Sequence, residues 1–175
     1  MYMMVQKCSL IEVMSVFFKE PTEVHFIKEI GRKIGLAPTS VRVYIEELKK
    51  QGIIIEKEAR PFNGLIANRE SNDFIFYKRL FNIYSLKLVV EKIAKESNPR
   101  MILLFGSYSK GFDIETSDVD LLVLSKSRKG VDLSKFVQEL NRKINVIYID
   151  NVKGIDKNVL VNMKNGIVLQ GAWDE

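Results

Sequence analysis

Asp118 and Asp120 stand two residues apart in an Asp-Val-Asp triplet that opens the apolar run Leu121-Leu122-Val123-Leu124. On a strand, side chains two apart leave the same face, and a rise of roughly 3.3 Å per residue puts the Cα atoms about 6–7 Å apart. Two carboxylates held there repel each other and disfavour each other's charged form unless a cation lies between them. Oxygen ligands of this kind suit Mg²⁺ or Mn²⁺, which keep several waters and take phosphate oxygens from a nucleotide. Upstream, Gly106-Ser107 follows the apolar run Met101-Ile102-Leu103-Leu104-Phe105, and ten residues separate Ser107 from Asp118. A strand that ends in Gly-Ser and turns into a helix offers free N–H groups and a hydroxyl to phosphate oxygens. Gly-Ser alone occurs in many turns. Joined to the Asp pair, it describes a site with one end for a triphosphate and the other for its metals.

The elements that must position these residues follow from the period of the apolar side chains. From residue 100 onward strand and helix alternate. Met101–Phe105, Val119–Leu124, Ile144–Ile149 and Ile167–Leu169 read as strands, and Leu133–Lys143 and Lys157–Lys164 as helices, which makes a small α/β domain. Asn98-Pro99 ends the preceding helical stretch, because the residue before proline avoids helical geometry. That stretch, residues 72–97, has Asn72 or Asp73 as its cap and an apolar stripe of Phe74, Tyr77, Leu80, Phe81, Tyr84 and Leu88. Such a stripe ordinarily faces a core, so the segment reads as one long helix or two short ones linking the halves.

With these elements in place, the stretch "LLFGSYSKGFDIETSDVDLLVL" resembles the signature of the nucleotidyltransferase superfamily, the DNA-polymerase-beta-like fold, in its minimal archaeal and bacterial form. The similarity covers most of residues 100–171, including the ending "NGIVLQG". The resemblance implies transfer of a nucleoside monophosphate from an NTP, base unspecified, to a hydroxyl or similar acceptor. It implies that Gly106 and Ser107 hold the nucleotide phosphates and that Asp118 and Asp120 bind Mg²⁺ or Mn²⁺. Tyr108 and Lys110 lie beside the turn, within reach of a nucleotide or simply solvated. The superfamily also uses a third carboxylate on a later strand. In "KINVIYID" that slot holds Asn145, whose amide carries no charge and cannot act as a base. Asp150, five residues on, falls on the opposite face of the strand, and Glu139 sits on the preceding helix with nothing to aim it at the site.

The first part of the chain has a different pattern. Leu10, Val13, Met14 and Phe17, then Phe26, Ile27, Ile30 and Ile34, then Val41, Tyr44, Ile45 and Leu48 recur at helical spacing. Pro38-Thr39-Ser40 opens the third helix and Gly52 stops it. "IIIEKEARPFNGLIAN" follows as two strand-like runs around Arg60-Pro61, with Asn63-Gly64 after them. Three short helices and a hairpin resemble the winged helix-turn-helix domains of bacterial and archaeal regulators over about residues 8–70. On that resemblance Thr39, Ser40, Arg42, Val43 and Glu46 would face a DNA groove, and Lys49, Lys50, Lys57 and Arg60 the phosphates. Glu46, Glu47, Glu56 and Glu58 stand among those bases and oppose a polyanion.

Bulk properties narrow the classes without choosing a function. A chain of 175 residues, 46% apolar and 28% charged, has an ordinary soluble composition. Its net charge of +5 divides evenly, with 13 basic against 10 acidic residues over 1–80 and 14 against 12 over 81–175, so charge permits nucleic-acid binding in either half without requiring it. The lone Cys8, expected to be small and half-buried, excludes an internal disulfide and any cysteine zinc site. The lone His25, expected on a helix surface or half-buried, excludes a histidine metal site. Trp173 should be packed or frayed. No apolar run approaches a membrane span, and the chain reads as cytoplasmic.

These readings converge on a two-domain α+β protein: a winged helix over 1–71, a helical linker over 72–98, and over 99–175 a small α/β nucleotidyltransferase fold with a mixed sheet. The leading expectation is a regulator that binds double-stranded DNA, as a monomer or a homodimer, and carries a nucleotide- and metal-binding domain of weak or absent turnover. The alternative is an active transferase that modifies a partner protein of the HEPN toxin type, with the winged half as docking module.

Overall fold

The computed structural model describes residues 8–58, 60, 62–127, 130–151, 161, 163 and 165–173. The chain divides into two units, Met1–Lys78 and Arg79–Glu175. The helix expected over Lys157–Lys164 lies largely outside the described residues.

In the first unit α1 (Ser9–Lys19), α2 (Ile27–Ile34) and α3 (Pro38–Lys50) precede a hairpin of β1 (Ile54–Lys57) and β2 (Gly64–Ala67). Each helix turns one apolar stripe inward, and Val13, Phe17, Ile30, Val41, Ile45 and Leu48 are buried together with Ile53 and Ile54. Pro38 is the first residue of α3, where its missing N–H is not needed and its fixed φ suits a helix. The arrangement is the expected winged helix.

Two small expectations fail here. Cys8 is exposed at the foot of α1, because the apolar stripe begins one turn later. His25 is not at a surface but fully buried. Its backbone exchanges hydrogen bonds of 2.8 and 2.9 Å with Leu65, which adds a short third strand to the wing. Its Nε2 lies 3.1 Å from the Glu20 carbonyl, and its ring meets Phe17 edge-on.

The stretch after the wing is two helices, α4 (Asn72–Ser85) and α5 (Lys87–Ser97), with Leu86 between them. The residue before α4 is Ser71, whose hydroxyl accepts from the Phe74 N–H at 3.4 Å, so neither Asn72 nor Asp73 is the cap. The expected apolar stripe is largely not core. Phe74 is buried, but Tyr77, Leu80, Tyr84 and Leu88 are exposed, and the inward positions of α4 are taken by Lys78 and Asn82. Both polar groups are satisfied: Lys78 donates to the Phe18 carbonyl, and Asn82 donates to the Tyr108 carbonyl and to Asp113. Hydrogen bonds to carbonyls distant in sequence make polar positions inward-facing, which periodicity cannot foresee.

The second unit is built on β3 (Met101–Phe105), β4 (Val119–Leu124), β5 (Ile144–Ile149) and β6 (Ile167–Gly171), with the short helices α6 (Gly106–Lys110) and α7 (Ser134–Leu140). The order is β5-β4-β3-β6, with β4 and β5 parallel and the other pairs antiparallel. This is the expected mixed sheet. The helix expected over Leu133–Lys143 is shorter, because Asn141 takes a left-handed conformation that ends it. The sheet buries both faces. Ile102, Leu104, Val119, Leu121 and Val123 pack with α5 on one side, and Met101, Leu103, Leu122, Leu124 and Met163 form a second cluster on the other, against which Trp173 packs. That two-sided burial is why β3, and β4 from Leu121 onward, are continuous apolar runs.

Candidate nucleotide and metal site

Period two places Asp118 and Asp120 on the face of Leu122 and Leu124, at the end where β4 begins. In register, Asp120 lies opposite Phe105, the last residue of β3, and on the other side opposite Asn145 of β5. The sheet therefore brings the Gly-Ser turn, the Asp pair and the odd residue Asn145 to one corner. A turn over 114–117 sets the approach to β4: the Ser117 hydroxyl accepts from the Ile114 N–H at 2.9 Å, and the Ser117 N–H donates to the Ile114 carbonyl at 3.0 Å. Arg142 donates to that same carbonyl and lies 3.8 Å from buried Asp113.

The Asn145 amide joins the two carboxylates. Its Nδ2 donates to Asp118 Oδ2 at 3.0 Å and to Asp120 Oδ1 at 3.1 Å. One neutral donor thus holds both acids, at the point where a third carboxylate would add repulsion in the absence of a cation. Lys143, immediately before β5, brings its Nζ to 3.9 Å from Asp118 Oδ2 from an exposed position. No feature of the sequence singled Lys143 out, since its reach depends on the parallel β4–β5 register.

Gly106 is required twice over. Its φ of +74° lies in the left-handed region, and a Cβ there would stand 2.6 Å from Asp120 Oδ2. Gly106→Ala should therefore destabilise the fold by about 2 kcal/mol or more, the left-handed penalty alone being roughly 1–2 kcal/mol, and push the Asp120 carboxylate out of line. Urea denaturation checks the first effect and metal-dependent nucleotide binding the second.

The other expected residues separate into those at the corner and those elsewhere. Ser107 is half-buried beside Gly106, and Lys110 is exposed at the end of α6. Tyr108 is not available to a nucleotide: it is buried, its hydroxyl lies 3.1 Å from Ser85 Oγ, and burial pushes its pKa up. Glu139 is paired with Lys135 on the outer side of α7. Asp150 lies past the end of β5, where its carbonyl accepts from Arg100. Neither supplies the missing carboxylate, and among the described residues no cluster of three or more acidic, His or Cys side chains could hold a metal. A groove of about 500 Å³ lined by Val131, Leu133, Val137, Ile144 and Val146 opens on the face of β5 opposite Asn145, so it is separate from this corner.

In the first unit, Thr39, Ser40, Arg42, Val43, Glu46 and Lys50 are exposed on α3, as a groove-reading face requires, and Lys57 and Arg60 are exposed in the wing. Lys49 is only half exposed. Its Nζ lies 2.5 Å from Glu56 and 3.6 Å from Glu46. The Glu56 hydrogen bond holds the Lys49 ammonium above its ordinary pKa, and the same bond holds Glu56 below the usual carboxylate range.

With this geometry in hand, the comparisons agree with both halves. Residues 87–170 match the family described as polymerase beta, nucleotidyltransferase. The second unit carries a nucleotidyltransferase domain. Residues 27–55, from α2 to the start of β1, match the winged helix-turn-helix DNA-binding family. No curated protein matches the chain. The nucleotidyltransferase match spans Gly106, Ser107, Asp118, Asp120 and Asn145, so the corner described above lies wholly inside it. Among the described residues no helix is long and apolar enough to cross a membrane.

Proposed function

We propose that this chain is a DNA-binding regulator whose nucleotidyltransferase domain binds an NTP with Mg²⁺ or Mn²⁺ and transfers slowly or not at all. The observation that carries the reading is the Asn145 amide bridging Asp118 and Asp120. Asp118 and Asp120 fit a divalent cation, since both are partly exposed carboxylates converging on one point, and they would hold it. When bound, such a cation offsets phosphate charge and stabilises the charge that develops in phosphoryl transfer. Gly106 and Ser107 would position the phosphates, with Lys110 adding a positive charge nearby. Asn145 limits the chemistry. It adds no charge to the site and cannot take the proton of an attacking hydroxyl.

The test is equilibrium dialysis of labelled ATP with Mg²⁺ or with EDTA. Binding that requires the metal is expected, and its absence at millimolar nucleotide overturns the reading. The acidic residues on α3 and the wing favour a second reading, in which an active transferase labels a partner protein, of the HEPN type for instance, docked on the winged unit. Incubation of lysate with labelled ATP and Mg²⁺ separates the two, because a labelled acceptor supports the transferase and a bare lane the regulator.

For DNA, the Lys49–Glu56 pair gives a sharp expectation. Glu56→Gln should release Lys49 for a phosphate, raise affinity for duplex several-fold at low salt, and steepen the salt dependence by about one ion. Fluorescence anisotropy across a salt series reads both quantities. No binding to any duplex would favour protein docking instead.

A further inference from the structure

The four oxygens of the Asp pair are unequally committed. On the β5 side, Asp118 Oδ2 accepts from Asn145 and faces Lys143, and Asp120 Oδ1 accepts from Asn145. The other two oxygens, Asp118 Oδ1 and Asp120 Oδ2, have no hydrogen-bond partner among the described residues. Asp120 Oδ2 lies against Gly106, where a Cβ would stand 2.6 Å from it, so the uncommitted oxygen of Asp120 looks toward the phosphate turn.

Lys143 is fixed beside the pair at its root and loose at its tip. Its carbonyl accepts at 2.8 Å from the N–H of Val119, the residue between the two acids, and Arg142 before it is anchored on the Ile114 carbonyl. The Lys143 side chain is 72% exposed, and its one ion pair among the described residues is the 3.9 Å contact with Asp118. An ammonium on a flexible four-carbon stem, with three donors, can leave that carboxylate for a phosphate oxygen.

We infer, on the reading proposed above, that this corner takes one divalent cation with its nucleotide rather than two, and that Lys143 brings to the phosphates the positive charge a second cation would supply. Charge and ligands both set the limit. One divalent cation already cancels the two carboxylates. A second would find on the β5 side only an amide and water for ligands, beside an ammonium that repels it. Lys143 thus has two positions of use: against Asp118 when the corner is empty of nucleotide, and on the phosphates when nucleotide and cation arrive together.

Counting bound Mn²⁺ on the full chain by the EPR signal of the free ion, with an equimolar ATP analogue whose α,β-bridging oxygen is replaced by methylene, tests the inference without turnover. One Mn²⁺ per complex is expected, and two in Asn145→Asp. Lys143→Met should tighten Mn²⁺ alone several-fold, because a competing ammonium is gone. The same variant should weaken the analogue about tenfold at saturating Mn²⁺, one charge-assisted bond being lost, and Lys143→Arg should keep most of the affinity. The opposite signs set this role apart from damage to the fold, which would weaken both. Two Mn²⁺ in the parent chain overturn the single-cation site. A count that stays at one in Asn145→Asp overturns the part given to Asn145, and a Lys143→Met chain that binds the analogue like the parent overturns the part given to Lys143. An analogue that does not bind with Mn²⁺ at all is a separate failure, that of the proposed function itself.

Discussion

Asn145→Asp should raise metal-dependent pyrophosphate release from ATP, with water or an added hydroxyl compound taking the nucleotidyl group, by on the order of 10²-fold, the lower end of what a positioned general base contributes. On the proposed reading Asn145 stands where such a base would act, within 3.0–3.1 Å of Asp118 and Asp120 and in register with Asp120 across the parallel pair. The substitution keeps the side chain's shape and changes only its charge and its ability to take a proton. It also removes an amide that donates to both acids and sets three carboxylates together. Without a cation this should cost about 1–3 kcal/mol, since hydrogen bonds to charged groups are worth roughly 1.5–3 kcal/mol and these are partly solvent-exposed. Urea unfolding of the variant should therefore be weakened in EDTA and recover with Mn²⁺, far more than in the parent chain. Pyrophosphate release that does not rise, beside a normal metal response in unfolding, would mean that something other than Asn145 limits turnover.

The parts of this fold that sequence carried are those in which one period decides the outcome. Met101–Phe105 and, after Asp120, Leu121–Leu124 are apolar on both faces because both faces are covered, and they are visible as runs. The slot of Asn145 comes from the family resemblance, and the parallel β4–β5 register sets it opposite Asp120. What Asn145 does there does not follow. An amide in that slot reads as a missing ligand, whereas in the structure it is a donor that reconciles two acids. The misread residues share one cause. Tyr108 lies on a helix of five residues, too short to show a period, and its burial is set by Ser85 and α5. The face of α4 is misassigned because apolar side chains are taken to point inward. Lys78 and Asn82 overrule that rule through acceptors 60, 26 and 31 residues away.

Asn82→Ala should be the most destabilising single substitution in the second unit, and it should reach the site without touching it. Asn82 Nδ2 donates to the Tyr108 carbonyl at 2.8 Å and to Asp113 Oδ1 at 2.7 Å, with Asn82, Tyr108 and Asp113 all buried. Removing the amide takes a donor from a buried carbonyl and another from a buried acid, each loss costing about 1–3 kcal/mol and more where the acceptor is charged. A total of about 3–4 kcal/mol is expected, a large fraction of the roughly 5–15 kcal/mol that stabilises an ordinary domain. Tyr108 is the middle residue of α6, which begins with Gly106-Ser107, and Asp113 opens the loop that Ser117 turns into Asp118. Both sides of the corner are therefore tied to this one amide. Metal-dependent ATP binding should weaken in Asn82→Ala even at temperatures where circular dichroism shows the chain folded. Asn82→Asp sharpens the test, because it keeps the volume but turns a carboxylate toward Asp113. It should lose as much stability as the alanine at neutral pH and regain part of it as the pH falls and the new acid takes a proton, since the neighbouring carboxylate favours the protonated form of the new acid in the folded state. A variant that unfolds normally yet binds nucleotide like the parent would show that α6 and the 112–117 loop are held by something other than Asn82.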